Sequence, residues 1–322
     1  MRILVTGSKG IVGTALVNEL KKKGHWVFGI DLMHSLGEVG YVQEMSHEVN
    51  TYERCDIREI RQLERVISKG FDLVYNCAAE FGRWNGEDYY EKVWETNCIG
   101  LKHLLTLQVP YRFKLVHFSS AEVYGDYPNI IFEDTMKEAH MEDVRQMNDY
   151  AISKWANELQ IMNWQELHPE SEIVRVRLFD IQGPGEVYHA YRSVCAKFVY
   201  HALHGLPITV FKGHIRCGVY INDTIKALAN IPDNFKNKEV YNLGGDVPYT
   251  IEELTNLIWD YTGADRNLIT WVDEHEKATT KIKVADSSKA KKDLMFDPWT
   301  PLPEVVKRTV DWMKEYYAKP LG

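Results

Sequence analysis

Met1-Arg2-Ile3-Leu4-Val5-Thr6 runs directly into Gly7-Ser8-Lys9-Gly10-Ile11-Val12-Gly13, and Thr14 to Lys23 continues with helical character. An apolar run without polar alternation is the pattern of a strand buried on both faces of a parallel sheet. Glycines at the turn leaving such a strand allow a tight bend, let backbone N–H groups approach a pyrophosphate, and bring helix against strand. The helix N-terminus adds partial positive charge facing the phosphates. Strand, glycine turn and helix in this order predict a nucleotide-binding unit, with Gly7, Gly10, Ile11, Val12 and Gly13 as contacts. The spacing is Gly-x-x-Gly-x-x-Gly, not the commoner Gly-x-Gly-x-x-Gly.

Working outward, the strand His25 to Ile30 ends at Asp31, eighteen residues after Gly13. A carboxylate there can accept hydrogen bonds from both adenosine-ribose hydroxyls and repels a 2′-phosphate, which predicts NAD in preference to NADP. Arg54-Cys55-Asp56-Ile57 places a second acid after a third strand, where Asp56 and Ile57 can face the adenine. Phe71 to Ala79 reads as a fourth strand ending in Cys77-Ala78-Ala79; small side chains at that end let a ligand reach the backbone. A fifth strand, Leu115 to Phe118, delivers Ser119 and Ser120 to the same sheet edge.

Tyr150-Ala151-Ile152-Ser153-Lys154 heads a long apolar-rich stretch. On a helix, positions i and i+4 share a face, so phenol and ammonium can enter one site. A free tyrosine keeps its proton to about pH 10, and a neighbouring Lys⁺ is expected to lower that pKa and make an acid–base for a hydroxyl. The spacing alone also suits a surface pair; the glycine loop and the serine strand upstream decide for a site.

Together these residues resemble the extended short-chain dehydrogenase/reductase family, in its NAD-dependent sugar-nucleotide epimerase/dehydratase branch. The resemblance rests on the glycine loop, Asp31, Asp56, Asn76 to Ala79, Thr96-Asn97-Cys98-Ile99-Gly100, Ser119 to Gly125 and Tyr150 to Lys154. It continues through Arg177 to Pro184, Arg216 to Asp223, Tyr241 to Gly245 and Asp286 to Ala290. It implies an α/β fold, a Rossmann-type doubly wound parallel sheet with a smaller C-terminal substrate lobe. It implies NAD held by Gly7, Gly10, Ile11, Val12, Gly13, Asp31, Asp56, Ile57, Ala78, Ala79, Asn97, Tyr150 and Lys154. Tyr150, Lys154, Ser120 and Glu122 become the catalytic candidates, and Ser120, Arg83, Asp180 and Arg216 the contacts for a nucleoside-diphosphate sugar, with Arg216 foremost for the phosphates.

The family's chemistry starts with Tyr150 taking a hydroxyl proton, Ser120 holding that oxygen, and hydride leaving the carbon for the nicotinamide. Hydride returned to the other face gives epimerisation; the keto sugar can instead eliminate water or lose carbon dioxide. Relatives that dehydrate usually carry Asp-Glu where this chain has Ala121-Glu122, and Ala121 cannot protonate a leaving group. Glu122 is the residue shared with dehydratases and uronate decarboxylases. Asp180 replaces a customary asparagine and needs a cation, for which Arg177 is the sequence candidate. An epimerase is the first expectation, a dehydratase or decarboxylase using Glu122 the alternative, and a non-catalytic dinucleotide sensor a third.

A chain of 322 residues can hold more than one lobe, and 26% charged with 45% hydrophobic residues is ordinary for a globular enzyme. The expected division is residues 1–175 for the dinucleotide domain, with a return near 218–243, and 176–322 mainly for the substrate lobe. No apolar run is long enough to span a membrane, and the cytoplasm is the expected location. A net charge of -8 argues against nucleic acid, while scattered Cys55, Cys77, Cys98, Cys195 and Cys217 and twelve unpatterned histidines argue against disulfides and metal. Apolar residues run round two sides of the helices near 89–106 and 150–167. Such helices need burial on two sides, and the resemblance implies a homodimer through them.

Overall fold

A computed structural model of the chain describes residues 1–33, 51–138 and 144–318. The first half alternates β1 (Arg2–Thr6), α1 (Ile11–Lys22), β2 (Trp26–Asp31), β3 (Tyr52–Arg54), α2 (Ile60–Ile67) and β4 (Leu73–Asn76). Then come α3 (Arg83–Asp88), α4 (Tyr90–Trp94), a wide turn over Glu95–Ile99, α5 (Gly100–Tyr111), β5 (Lys114–Ser120), α6 (Thr135–Glu138), α7 (Asp149–Leu167) and β6 (Ile173–Leu178). The rest comprises β7 (Ile181–Gln182), α8 (Val194–Leu203), β8 (Ile208–Phe211), β9 (Ile215–Arg216), β10 (Val219–Tyr220), α9 (Ile221–Ala229) and β11 (Val240–Leu243). It closes with β12 (Tyr249–Thr250), α10 (Ile251–Thr262), β13 (Ile269–Val272), β14 (Ile282–Lys283), α11 (Ser288–Leu294) and α12 (Leu302–Ala318).

Seven strands form one parallel sheet in the order β11-β6-β5-β4-β1-β2-β3. This is the doubly wound α/β sheet expected from the sequence. Strand residues alternate between its faces. Ile3 and Val5 pack with Leu16 and Leu20 of α1 and Ile225 and Leu228 of α9, whereas Leu4 packs with Leu63 of α2 and Leu101 and Leu104 of α5. Both faces are therefore covered, which is why β1 reads as unbroken apolar sequence. The chain order reverses between β1 and β4, and open α/β sheets leave a crevice beyond the strand ends at such a point.

A third core joins α8, α10 and α12 through Phe198, Val199, Leu254, Ile258, Trp259, Val310 and Met313, and the β8–β13 pair lies against it. Between leaving the main sheet after β6 and rejoining it at β11, the chain contributes α8 and β8 to this smaller lobe. Among the described residues, no helix is long and apolar enough to cross a membrane.

The two helical stretches with apolar residues on two sides split cleanly. Val93, Leu101, Leu104, Leu105 and Ile161 are buried, while Tyr89, Tyr90, Trp94, Ile99, Ile152, Leu159, Met162 and Leu167 stand exposed.

Candidate active site

The turn after β1 is built by backbone contact. Gly7 has φ +62°, and a Cβ on it would lie 2.7 Å from the Ala78 nitrogen; a Cβ on Gly13 would lie 2.1 Å from the Gly7 carbonyl oxygen. Only hydrogen fits at either place. Gly10 caps α1, whose first backbone N–H groups have no acceptor within the helix. Asp31 accepts from the Lys9 N–H at 3.0 Å and the Met33 N–H at 3.3 Å, so its carboxylate is fixed beside the loop. Asp56 is gripped by Arg58 at 2.7 Å. Burial works against its charge, but the Arg58 hydrogen bonds and guanidinium hold its pKa below the usual carboxylate range.

Gly7, Gly10, Gly13, Asp31, Asp56 and Ala78 line a cavity of about 1200 Å³, and Ser120, Glu122, Tyr150, Lys154, Arg83, Asp180 and Arg216 line the same cavity. Asn148 caps α7, its Oδ1 accepting from the Ala151 N–H at 2.8 Å, and the first turn of that helix presents Tyr150. Ser120 ends β5, and its Oγ accepts from the Glu122 N–H at 3.2 Å. Tyr150 lines the cavity beside Ser120, whose hydroxyl favours the ionised phenol. Lys154, buried, donates to the Phe118 carbonyl at 2.9 Å, with its nitrogen 5.9 Å from the Tyr150 ring centre. Burial pulls its ammonium down to about 8, and Cys98, Cys77 and Glu158 oppose the fall.

Several expectations change on contact with this geometry. Lys154 does not lower the Tyr150 pKa here: burial pushes the phenol up to about 12, the Ser120 hydroxyl works against that rise, and the Glu122 charge adds to it. Arg216 is not a free phosphate hook. Its Nη atoms donate to the carbonyls of Ile215, Lys281 and Thr280 and to Thr279 Oγ1, and its Nε lies 3.7 Å from Asp180. Asp180, in the left-handed region at φ 33°, therefore has Arg216 as its cation, whereas Arg177 is committed to Glu158. Arg83 pairs with Glu276 at 3.0 Å. Asn97 lies behind the cavity wall, its amide joining the Glu80 backbone to Ser153 Oγ at 3.0 Å.

Two features escaped the sequence. Lys283 of β14, 161 residues away, hydrogen-bonds and ion-pairs with Glu122. Burial alone would raise the Glu122 pKa, but Lys283, Arg83 and Arg216 outweigh it and keep the carboxylate ionised. Glu158, one turn beyond Lys154, is fully buried between Arg175 and Arg177. Its place on the Tyr150–Lys154 face was readable from the four-residue spacing; its partners were not.

The sequence model of the NAD dependent epimerase/dehydratase family matches residues 3–244. The chain is 25% identical to a UDP-N-acetyl-alpha-D-glucosaminuronate decarboxylase of Bacillus cytotoxicus, over 98% of each protein. It is 26% identical to a dTDP-glucose 4,6-dehydratase of Salmonella typhimurium, over 97% of this chain and 92% of that one. In fold it is similar to the UDP-glucuronic acid 4-epimerase of Bacillus cereus, solved with UDP-glucuronic acid and NAD, at a TM-score of 0.83 and 22% identity over 98% of this chain and 99% of that one. With a glycine cradle that excludes side chains at the crevice and a family match across most of the chain, the protein belongs to the NAD-dependent epimerase/dehydratase family.

Proposed function

We propose that this enzyme epimerises a nucleoside-diphosphate sugar through a transient keto sugar. The observation that carries the reading is that Tyr150, Ser120 and Lys154 line the same cavity as the glycine cradle, with Ala121 where a dehydratase needs an acid. Tyr150 takes the proton of a ring hydroxyl and later returns it, Ser120 holds that oxygen, and Lys154 supplies positive charge below pH 8. NAD, held by the Gly7–Gly13 loop, Asp31 and the Cys77–Ala79 strand end, supplies when bound the acceptor and donor of the sugar's hydride. Arg216 reaches a diphosphate only by exchanging Asp180 or a backbone partner.

A second reading, loss of carbon dioxide or water beside the ketone, is favoured by Glu122. A simple hydride transfer has no use for a buried carboxylate kept charged by Lys283 and raising the Tyr150 pKa. The exposed apolar residues of α4, the turn after it and α7 support a homodimer through these helices. Five unpaired cysteines suit a reducing compartment, and we place the protein in the cytoplasm on that ground.

Calorimetric titration should find NAD(H) binding more tightly than NADP(H), because Asp31 meets a 2′-phosphate with like charge. Asp31→Ala should weaken NAD and narrow the gap; equal binding by the unaltered protein would remove Asp31 from the ribose.

Tyr150→Phe should fold and bind NAD yet lose nearly all turnover, and Ser120→Ala should lose about 10²-fold, the scale of one positioned hydrogen-bonding group. Near-normal activity in Tyr150→Phe contradicts the mechanism.

Mass spectrometry of nucleotide sugars incubated in heavy water separates the two readings. Epimerisation yields an isomer of unchanged mass without ring deuterium, and Glu122→Gln retains substantial activity. Deuterium at a ring carbon, or loss of carbon dioxide or water, together with NADH accumulating in Glu122→Gln, decides for the second reading.

Light scattering should give twice the chain mass, and Leu159→Glu should give monomers. A monomeric unaltered protein at micromolar concentration rules the interface out.

A further inference from the structure

Tyr150, Lys154 and Glu158 recur every four residues along α7 and so share a face. Opposite them lie three consecutive residues at the end of β5; two are hydrogen-bonded to this face and the third lies beside Tyr150. Lys154 donates to the Phe118 carbonyl at 2.9 Å, Ser119 Oγ donates to Glu158 Oε1 at 2.5 Å, and Ser120 lies beside Tyr150 in the cavity wall. The middle rung is the best anchored. Glu158 also accepts from Arg177 Nε at 2.8 Å, Arg177 Nη2 at 2.7 Å and Arg175 Nη1 at 2.9 Å, while Arg177 Nη1 continues to the Tyr124 hydroxyl at 2.6 Å and the Glu133 carbonyl at 3.0 Å. Buried ion clusters of this kind seldom add stability over apolar packing of equal volume, so stability is a poor account of this one.

We propose that Glu158 is a positioning residue: by pinning Ser119 between its neighbours it fixes the end of β5 against α7 and sets the reach from Ser120 to Tyr150. The role in turnover rests on the acid–base reading of Tyr150 given above. The same carboxylate faces Lys154, whose other neighbours are Cys77, directly after β4, and Cys98 of the turn before α5. His117 of β5 also feels both Lys154 and Glu158, and burial keeps it neutral. The Glu158 charge helps Lys154 keep its proton, so removing that charge lets the proton leave at lower pH.

Ser119→Ala removes the middle rung and leaves every charge in place. Its kcat should fall about ten-fold, the cost of a small misplacement of reacting groups, while KM, NAD affinity and the thermal midpoint stay close to those of the parent. Ser119→Thr, which keeps the hydroxyl, should recover most of the loss. Glu158→Gln should move the alkaline fall of kcat to lower pH by about half a unit or more. Should that variant not fold, the Ser119 pair decides. Unchanged kcat in Ser119→Ala overturns the proposal, and so does a loss matched by equal losses in NAD affinity and thermal midpoint. A crystal structure of Ser119→Ala, set beside that of the parent, reads the geometry without turnover: the distance from Ser120 to Tyr150 should grow, and an unchanged distance overturns the proposal even if Tyr150→Phe proves active and the acid–base reading has failed separately.

Discussion

No side-chain atom fits between the glycine loop and its neighbours, and the site is organised around that exclusion. A Cβ on Gly13 would stand 2.1 Å from the Gly7 oxygen, inside any permissible contact. Because the backbone closes there, α1 begins directly at the crevice between β1 and β4. Strand register then carries the alignment sideways: Thr6 lies opposite Asn76, Asn76 opposite His117, and His117 opposite Arg175. Thr6 donates to Asn76 at 2.9 Å, Asn76 meets His117 at 3.2 Å, and Arg175 reaches Glu158 of α7. A one-residue slip would turn this row to the wrong face of the sheet, so the polar row and the apolar layers fix the same pairing.

Electrostatically the two halves of the cleft differ. The dinucleotide half offers backbone N–H groups and fixed carboxylates. In the other half Arg83, Arg216 and Lys283 are already matched within the protein: Arg83 with Glu276, Arg216 with Asp180 and Lys283 with Glu122. A substrate entering there exchanges partners, and pre-matched pairs of this sort favour selectivity over raw affinity.

Among the described residues up to Leu178 the sheet was largely legible because β1, β2, β4 and most of β5 are short, apolar runs that end in turn residues. The placement of Tyr150 and Lys154 on one helix and of Ser120 at a strand end could be read from spacing and strand position, since each signal lies within a single element. Legibility ended where a residue's partner lay far along the chain. Lys283 comes from a two-residue strand that no periodicity marks, and the saturation of Arg216 arises from carbonyls of residues 280 and 281, which a sequence pattern does not expose. Misjudging Tyr150 has another cause: i,i+4 spacing says that two groups share a face, not that burial outweighs their mutual attraction.

The sheet's outermost strand on one side, β11, is supplied by residues 240–243, after α8 and β8 of the smaller lobe have been laid down. On a ribosome, β6 must therefore wait for more than sixty further residues before its free edge is paired. During that interval an apolar edge of a parallel sheet is open to other chains, the situation in which nascent α/β proteins aggregate. Truncations ending between β6 and β11 would leave a nascent chain with an exposed seam, so the crossover that joins the lobes also makes the amino-terminal half dependent on the completion of its own synthesis.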